Sequence, residues 1–314
     1  KKVMKIAVVM DPIAEINFKK DSTLLLINEA QLRNHEVFYI EPKNLFFLGK
    51  EPCALCSKIS VKMDSNKWFF LEEENQIYLK DLDVIFMRQD PPFDMEYINN
   101  TYVLEAAEKE GVKIFNKPSS LRSFNEKISI LEFSEFCTET IVTSDKKIIL
   151  KFINKYKEVV SKPLNLMGGQ GIEKLNLDQD DLAERLTKST KNFTEKIMVQ
   201  KFIEKVYEGD KRILIINGEP SEYAVVRTPA QGEFRGNLAV GGKASIEKLT
   251  QLEFNIASSI APKLIERGIL IAGIDIVGEY LTEINITCPT CFRELLDQKG
   301  INLMHKVFDY IESK

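Results

Sequence analysis

The sequence predicts an N-terminal parallel-sheet α/β domain followed by an α+β region built largely of antiparallel strands. Two patterns predict it. In the first third, short runs rich in β-branched residues alternate with helical stretches, as buried parallel strands do. In the last third, strand-like runs are joined by close turns, as hairpins are. The chain has 314 residues, 44% of them hydrophobic, enough for about two packed domains.

Lys5–Met10 reads as the first strand, ended by Asp11-Pro12. The basic residues before it do not make it a signal peptide, because its apolar run is too short. No run approaches the ~20 apolar residues that cross a bilayer. Ser22 is read as the cap of a helix reaching about Arg33, and residues 37–40 as the next strand. From residue 48 to 81 the pattern is irregular, with short strands around 68–71 and 76–79. Residues 84–87 form a buried strand, 95–110 a helix stopped by Gly111, and 112–115 a further strand. A boundary falls near 118–125.

The middle third reads as a helix from Glu126, a strand over 140–143, a helix over 146–156 and a strand over 159–162. A glycine loop, Met167-Gly168-Gly169-Gln170-Gly171, leads to a strand over 172–175. A polar helix and a strand over 197–201 follow. Further on, 211–216 and 221–228 flank Asn217-Gly218, although Glu219-Pro220 points to a connection longer than two residues. Residues 229–242, glycine-rich and aperiodic, read as a mobile loop. A helix over 251–267, a second hairpin and closing helical segments complete the chain.

A net charge of −4 with no basic stripe argues against a nucleic-acid partner. The five cysteines fit a reducing compartment. Cys53/Cys56 and Cys288/Cys291 have Cys-x-x-Cys spacing, but they lie far apart, whereas zinc ribbons separate such pairs by ~15–20 residues. They are read as incidental thiols. The two histidines, His35 and His305, have no serine or cysteine partner in a motif, which removes triad chemistry. Catalysis then rests on Lys, Arg, Asp and Glu.

The sharpest chemical signal is the second hairpin, with Asp275 on one strand and Glu283 and Asn285 on the other. Glu283 and Asn285 are two apart and share a face. A three-residue turn, Gly278-Glu279-Tyr280, would set Asp275 opposite Glu283, and a two-residue turn would put them on opposite faces. The metal reading therefore predicts the longer turn. Three oxygen-bearing side chains on one face suit a hard cation such as Mg²⁺. An ordinary solvated polar face is the plain alternative.

Lys162-Pro163 ends a strand just before the glycine loop, whose backbone N–H groups can curl towards an anion. It is not a Walker loop, and alone a tight turn would explain it. Lys127 and Lys162 flank it in the fold plan. Arg88, Arg212, Arg227 and Arg235 stand where the chain is not periodic, and Arg88 ends a buried strand, where ligands bind in open α/β sheets. Guanidinium groups grip carboxylates and phosphates bidentately. Together these features suggest a site for polyanionic reactants.

Several segments then match a known family: Val9-Met10-Asp11-Pro12-Ile13, Arg88 with Asp90-Pro91-Pro92-Phe93-Asp94, Asn116-Lys117-Pro118 and Asn125-Glu126-Lys127. So do Gly209-Asp210-Lys211-Arg212, Arg235-Gly236-Asn237-Leu238-Ala239 and Leu281-Thr282-Glu283-Ile284-Asn285. In order, and across nearly the whole chain, they resemble the bacterial-type glutathione synthetases. The resemblance implies a two-lobed ATP-grasp fold after an N-terminal α/β domain. Residues 1–122 would form the dipeptide side, about 123–200 a lid lobe and about 201–314 a catalytic lobe.

By the same resemblance, ATP would be the co-substrate, bound by Lys127, Lys162, Gly168, Gly169, Gln170 and Gly171. Gln200, Lys201, Phe202 and Ile203 would line the adenine, and Asp210 and Asn285 would meet the nucleotide. Asp275, Glu283 and Asn285 would hold Mg²⁺ or Mn²⁺. Arg88, Asp94, Arg227, Arg235, Gly241, Gly242, Cys288 and Thr290 would bind substrate, with Arg212, Arg227 and Arg235 catalytic. The implied reaction phosphorylates the C-terminal carboxylate of γ-glutamylcysteine, and glycine's amine then attacks the acyl phosphate. The family also implies a cytoplasmic homo-oligomer with no nucleic-acid or membrane partner. Two departures stand out: Asn165 and Leu166 replace a family Asp-Gly before the glycine loop, and Cys288 replaces a serine. The competing readings are a sister ATP-grasp ligase with another carboxylate–amine pair, such as D-alanine–D-alanine, and a non-catalytic nucleotide-binding regulator. Retention of both lysines and all three metal residues favours an enzyme.

Overall fold

The computed structural model describes residues 2–314. Strand β1 (Lys5–Met10) has Ile6, Ala7, Val8 and Val9 fully buried, as a central parallel strand requires. Helix α1 (Ser22–Leu32) follows, but Asp21 is its cap, accepting from the Leu24 N–H at 2.6 Å. Ser22, expected in that role, is the first helical residue, and its hydroxyl accepts from the Phe292 N–H instead. Next come β2 (Glu36–Ile40), β3 (Leu45–Leu48), β4 (Glu51–Val61), β5 (Phe69–Leu71), β6 (Asn75–Tyr78) and β7 (Val84–Arg88). Helix α2 (Met95–Lys109), β8 (Lys113–Phe115) and the short α3 (Pro118–Ser123) complete this part.

The strand order is β3-β4-β2-β1-β7-β8, with β1 parallel to β2 and β7, and β7 parallel to β8. The irregular stretch resolves around β4, whose eleven residues pair in turn with β2, β3, β5 and β6.

Beyond α3 the expected helix from Glu126 is a kinked 3₁₀ segment, Ile128–Phe136. Strand β9 (Thr140–Thr143), α4 (Lys146–Tyr156), β10 (Val159–Pro163), β11 (Glu173–Leu175), α5 (Leu182–Ser189) and β12 (Ile197–Lys201) then build an antiparallel sheet of order β11-β10-β12-β9. Its own small core contains Ile149, Ile153, Val159 and Leu186.

The third sheet, β16-β15-β13-β17-β18, comprises β13 (Asp210–Ile216), β14 (Glu219–Pro220, paired with β13), β15 (Tyr223–Thr228), β16 (Lys243–Lys248), β17 (Ile271–Val277) and β18 (Tyr280–Asn285). Helix α6 (Gln251–Glu266) precedes β17, and α7 (Phe292–Lys299) and α8 (Met304–Glu312) close the chain.

Both hairpins differ from expectation in their turns. Asn217 and Gly218, with φ of 49° and 72°, make a two-residue turn pairing Ile216 with Glu219. The ladder then breaks and resumes at Arg212 opposite Val225. In the second hairpin the turn is also two residues, Val277 pairing with Tyr280. Yet Asp275 does stand opposite Glu283, because the register shifts by one residue at Thr282. This β-bulge does what the longer turn was expected to do. The Thr282 hydroxyl donates to the Asp275 carbonyl at 3.2 Å, fastening the bulge.

The first and third sheets are joined firmly. Buried Asn116, just after β8, uses its whole amide: its nitrogen donates to Ile271 O and Ile286 O, and its oxygen accepts from Leu270 N and Ile271 N. Helix α8 returns to α1, where Arg33 bonds Glu29, Asp309 and Glu312 and buried His35 meets Glu312. Among the described residues no helix is long and apolar enough to cross a membrane.

Candidate functional site

Two cavities meet where β17 and β18 face the glycine loop. The first, of about 890 Å³, lies between β10 and β12 on one side and β13, β17 and β18 on the other. Its apolar end is formed by Val160, Ile172, Phe202, Val206, Phe234 and Val277. Phe202 packs edge-on to Phe234, and the Lys174 ammonium lies 3.9 Å from its ring centroid.

Most of the expected nucleotide and metal residues converge on this cavity. Lys127, Lys162, Gly168, Gly169 and Gln170 line the cavity, as do Gln200, Lys201, Phe202, Ile203 and Asp210. So do Arg212, Arg235, Asp275, Glu283 and Asn285. The Lys127 ammonium donates to Leu166 O at 2.8 Å and pairs with Glu283 at 3.5 Å. Burial pushes the Lys162 ammonium below its ordinary pKa, with Glu283 opposing and Lys127 reinforcing the shift. Gly168, Gly169 and Gly171 all have φ between +63° and +78°, the left-handed region that glycine enters freely. Gly171 lies outside the cavity lining.

Asp275 is gripped by Arg212 through two bonds of 2.8 and 2.9 Å and by Arg227 at 3.1 Å. Burial alone would raise its carboxyl, but the two guanidinium groups outweigh burial and hold it at about 2. Arg227 also bonds Asp210 at 2.8 Å, and the Asn285 amide donates to Asp275 at 3.2 Å. Among the described residues no group of three histidine, cysteine or carboxylate side chains stands ready for a metal. A cation at Asp275 and Glu283 therefore relies on the Asn285 oxygen as the third hard donor, which fits Mg²⁺ or Mn²⁺ by donor chemistry.

The 229–242 loop, expected to be mobile, lies drawn over the site. Arg235 donates to Gly169 O at 3.0 Å and is held by Glu233 at 2.7 Å. A side chain at Gly169 would meet Asn237 Oδ1 at 2.8 Å, so the two loops touch. Lys20 reaches Leu238 O at 3.1 Å from the N-terminal domain.

The second cavity, of about 1550 Å³, opens beside the first and shares Met167, Gly168, Arg212, Asn237 and Asn285 with it. Arg227, Cys288 and Thr290 line it, facing Asp11, Asp21 and Asp90 from the C-terminal ends of parallel strands and the start of α1. Burial and the Asp11 and Asp21 charges outweigh Cys288 and Arg88 and raise the Asp90 carboxyl to about 6, and burial likewise pushes the Cys288 thiol up. The sequence reading missed Asp11 and Asp90 as site residues. The available signal was an acid just past the end of a buried parallel strand, where such sheets bind ligands.

Four expected substrate residues lie outside both cavities. Arg88 is buried and spent on Thr23 and the Pro289 carbonyl, at 3.0 and 2.9 Å, so it supports the wall. Asp94 caps α2, accepting from the Tyr97 N–H at 2.9 Å. Gly241 and Gly242 fold back on Leu238 and Asn237, at 3.4 Å each. All five cysteines are free thiols.

This geometry can be set beside known proteins. Residues 4–122 match the family model of the prokaryotic glutathione synthetase N-terminal domain, and residues 126–300 that family's ATP-grasp domain. The chain is 42% identical over 317 residues to the glutathione synthetase of Buchnera aphidicola subsp. Schizaphis graminum, covering 100% of this chain and 98% of the relative. It is 41% identical over 312 residues to that of Escherichia coli K12, covering 99% of each. The solved D-alanyl-alanine synthetase A of Vibrio cholerae shares the fold, with a TM-score of 0.63 at 14% identity, covering 99% of this chain and 98% of the other. Matched along both domains and over its full length, the chain is an ATP-dependent ligase of ATP-grasp fold and belongs to the prokaryotic glutathione synthetase family.

Proposed function

We propose that the first cavity binds ATP, the second binds γ-glutamylcysteine, and glutathione is formed where the two join. The observation that carries this reading is the pair of adjoining cavities with Met167, Gly168, Arg212, Asn237 and Asn285 common to both. The apolar end, with Gln200 to Ile203, suits adenine. Asp210 and Asn285 suit the rest of the nucleotide, and Lys127, Lys162 and the glycine loop suit its phosphates. Asp275, Glu283 and Asn285 would hold the divalent cation, whose bound charge offsets that of the phosphate oxygens.

The chain itself supplies position and charge rather than a nucleophile. The cysteinyl carboxylate oxygen takes the γ-phosphoryl group, and ADP leaves. Glycine's amine then attacks the acyl carbon, phosphate leaves, and the amine loses its proton. Arg212 and Arg227 face the charge that develops at the junction. The 229–242 loop, pinned through Arg235, keeps water from the acyl phosphate. In this reading residues 1–122 are the dipeptide side, 123–200 the lid and 201–314 the catalytic lobe. A cytoplasmic homo-oligomer belongs to the same reading, and a monomeric mass by light scattering would remove the oligomer from it.

The test is phosphate release from ATP and Mg²⁺, with γ-glutamylcysteine and glycine omitted in turn. Release that needs both, with tripeptide formed in step, is expected. Turnover only with a different amine or carboxylate would reassign the substrates.

A further inference from the structure

Strand β18 is the edge of its sheet, and it carries Glu283 and Asn285. Its ladder to β17 ends at Asn285 opposite Gly273. Beyond that point the backbone N–H groups of residues 286 and 287 have no strand partner, and an unsupported edge is free to fray. The missing partner comes from the linker between the first two sheets. The Glu126 carbonyl accepts from Ile284 N at 2.9 Å. Its carboxylate accepts from Ile286 N at 2.6 Å, Thr287 N at 3.0 Å and the Thr287 hydroxyl at 3.1 Å. From the same linker, Asn116 donates to Ile286 O.

The next residue, Lys127, reaches Glu283 and Leu166 O, so adjacent residues fix β18 from its exit and from its cavity face. Glu126 itself, Thr287 that it holds, and Cys288 after it line the second cavity. We propose that Glu126 is a positioning residue: its carboxylate, as a substitute strand, fixes β18 and its exit so that Glu283 and Asn285 serve the nucleotide cavity while Thr287 and Cys288 shape the other. The inference rests on the cavity assignments above.

Glu126→Gln keeps the length but replaces one accepting oxygen with an NH₂ that faces donors. Glu126→Asp keeps both oxygens at shorter reach and decides the matter if the amide variant does not fold. Each variant, shown folded by its melting curve, is compared with the parent for ADP affinity without metal, for Mn²⁺ affinity of the ADP complex by electron paramagnetic resonance, and for steady-state kinetics. Metal-free ADP affinity should stay within about twofold, because Glu126 does not line the cavity assigned to the nucleotide. Mn²⁺ affinity should fall about tenfold or more, and kcat should fall with it while KM for ATP changes little. A folded variant that binds Mn²⁺ as the parent does overturns the role for Glu126. If the parent's ADP complex itself binds no Mn²⁺, the cation-site assignment beneath the inference fails instead.

Discussion

In the cavity assigned to ATP, charges are cross-paired: Lys127 with Glu283, and Asp275 with Arg212 and, reaching in from the lining of the second cavity, with Arg227. Across Asn285, in the neighbouring cavity, Asp11, Asp21 and Asp90 crowd one wall, and burial has raised all three carboxyls. The first arrangement can exchange partners when a polyanion and its cation arrive, with little change in net charge. The second holds unfavourable like charge, which a cationic group such as the dipeptide's ammonium relieves. One cavity is therefore neutralised in advance, and the other is poised to be neutralised by its ligand.

The contrast can be tested from both sides. The largest effect is expected at Asp275. Asp275→Asn should lower kcat/KM by about 10³. It should also cost about 3–5 kcal/mol in denaturant unfolding, because buried Arg212 loses its carboxylate partner and Arg227 keeps only Asp210. A variant as stable as the parent would mean the cross-pairing is not structural.

Next comes Gly169→Ala. A left-handed φ makes the substitution cost of order 1–3 kcal/mol, and the Asn237 side chain, whose Oδ1 would lie 2.8 Å from the added carbon, must turn aside. That is enough for about tenfold in kcat/KM for ATP. An unchanged value would show that the two loops need not touch during turnover.

A smaller and opposite effect is expected at Asp90. Its carboxyl holds its proton more tightly in the folded chain than in the unfolded one. The stability from this group is therefore present below pH 3.8 and is lost as pH rises to about 6. Asp90→Asn, fixed in the neutral form, should gain between about 1 and 3 kcal/mol over the parent at pH 8, and much less at pH 4.5. An equal gain at both pH values would break the contrast. The smallest effect belongs to Thr250, whose hydroxyl and the Glu253 carboxylate form a reciprocal capping box at the start of α6. Thr250→Ala should cost about 1 kcal/mol and leave kcat untouched, calibrating what a purely structural loss looks like.

Local periodicity carried much of the fold. β1, β7, β9, α4 and β12 stand where their apolar patterns put them, because each is a short element held in one unbroken register or on one buried face. β4 was hidden because its eleven residues serve four partners, and no single alternation survives that demand. The cap of α1 falls on Asp21 rather than Ser22 for a simpler reason: both are good caps, and Ser22 accepts from Phe292 N–H, which no local pattern reveals. In the site, Asp275, Glu283 and Asn285 were legible from strand spacing, whereas the clamp by Glu126 joins residues 160 apart and leaves no periodic trace. Arg88 reads as functional from its strand end, and only the structure reveals that its Nε and one Nη donate to Thr23 and the Pro289 carbonyl.

The bulge at Thr282 has a consequence for how this hairpin can change over time. Two routes set Asp275 opposite Glu283: a two-residue turn with the extra residue, or a three-residue turn without it. Either change made alone rotates Glu283 to the wrong face. Insertions and deletions here are therefore tolerated only in compensating pairs, one at the turn and one at the bulge, and a chain with a longer turn should lack the threonine's extra residue.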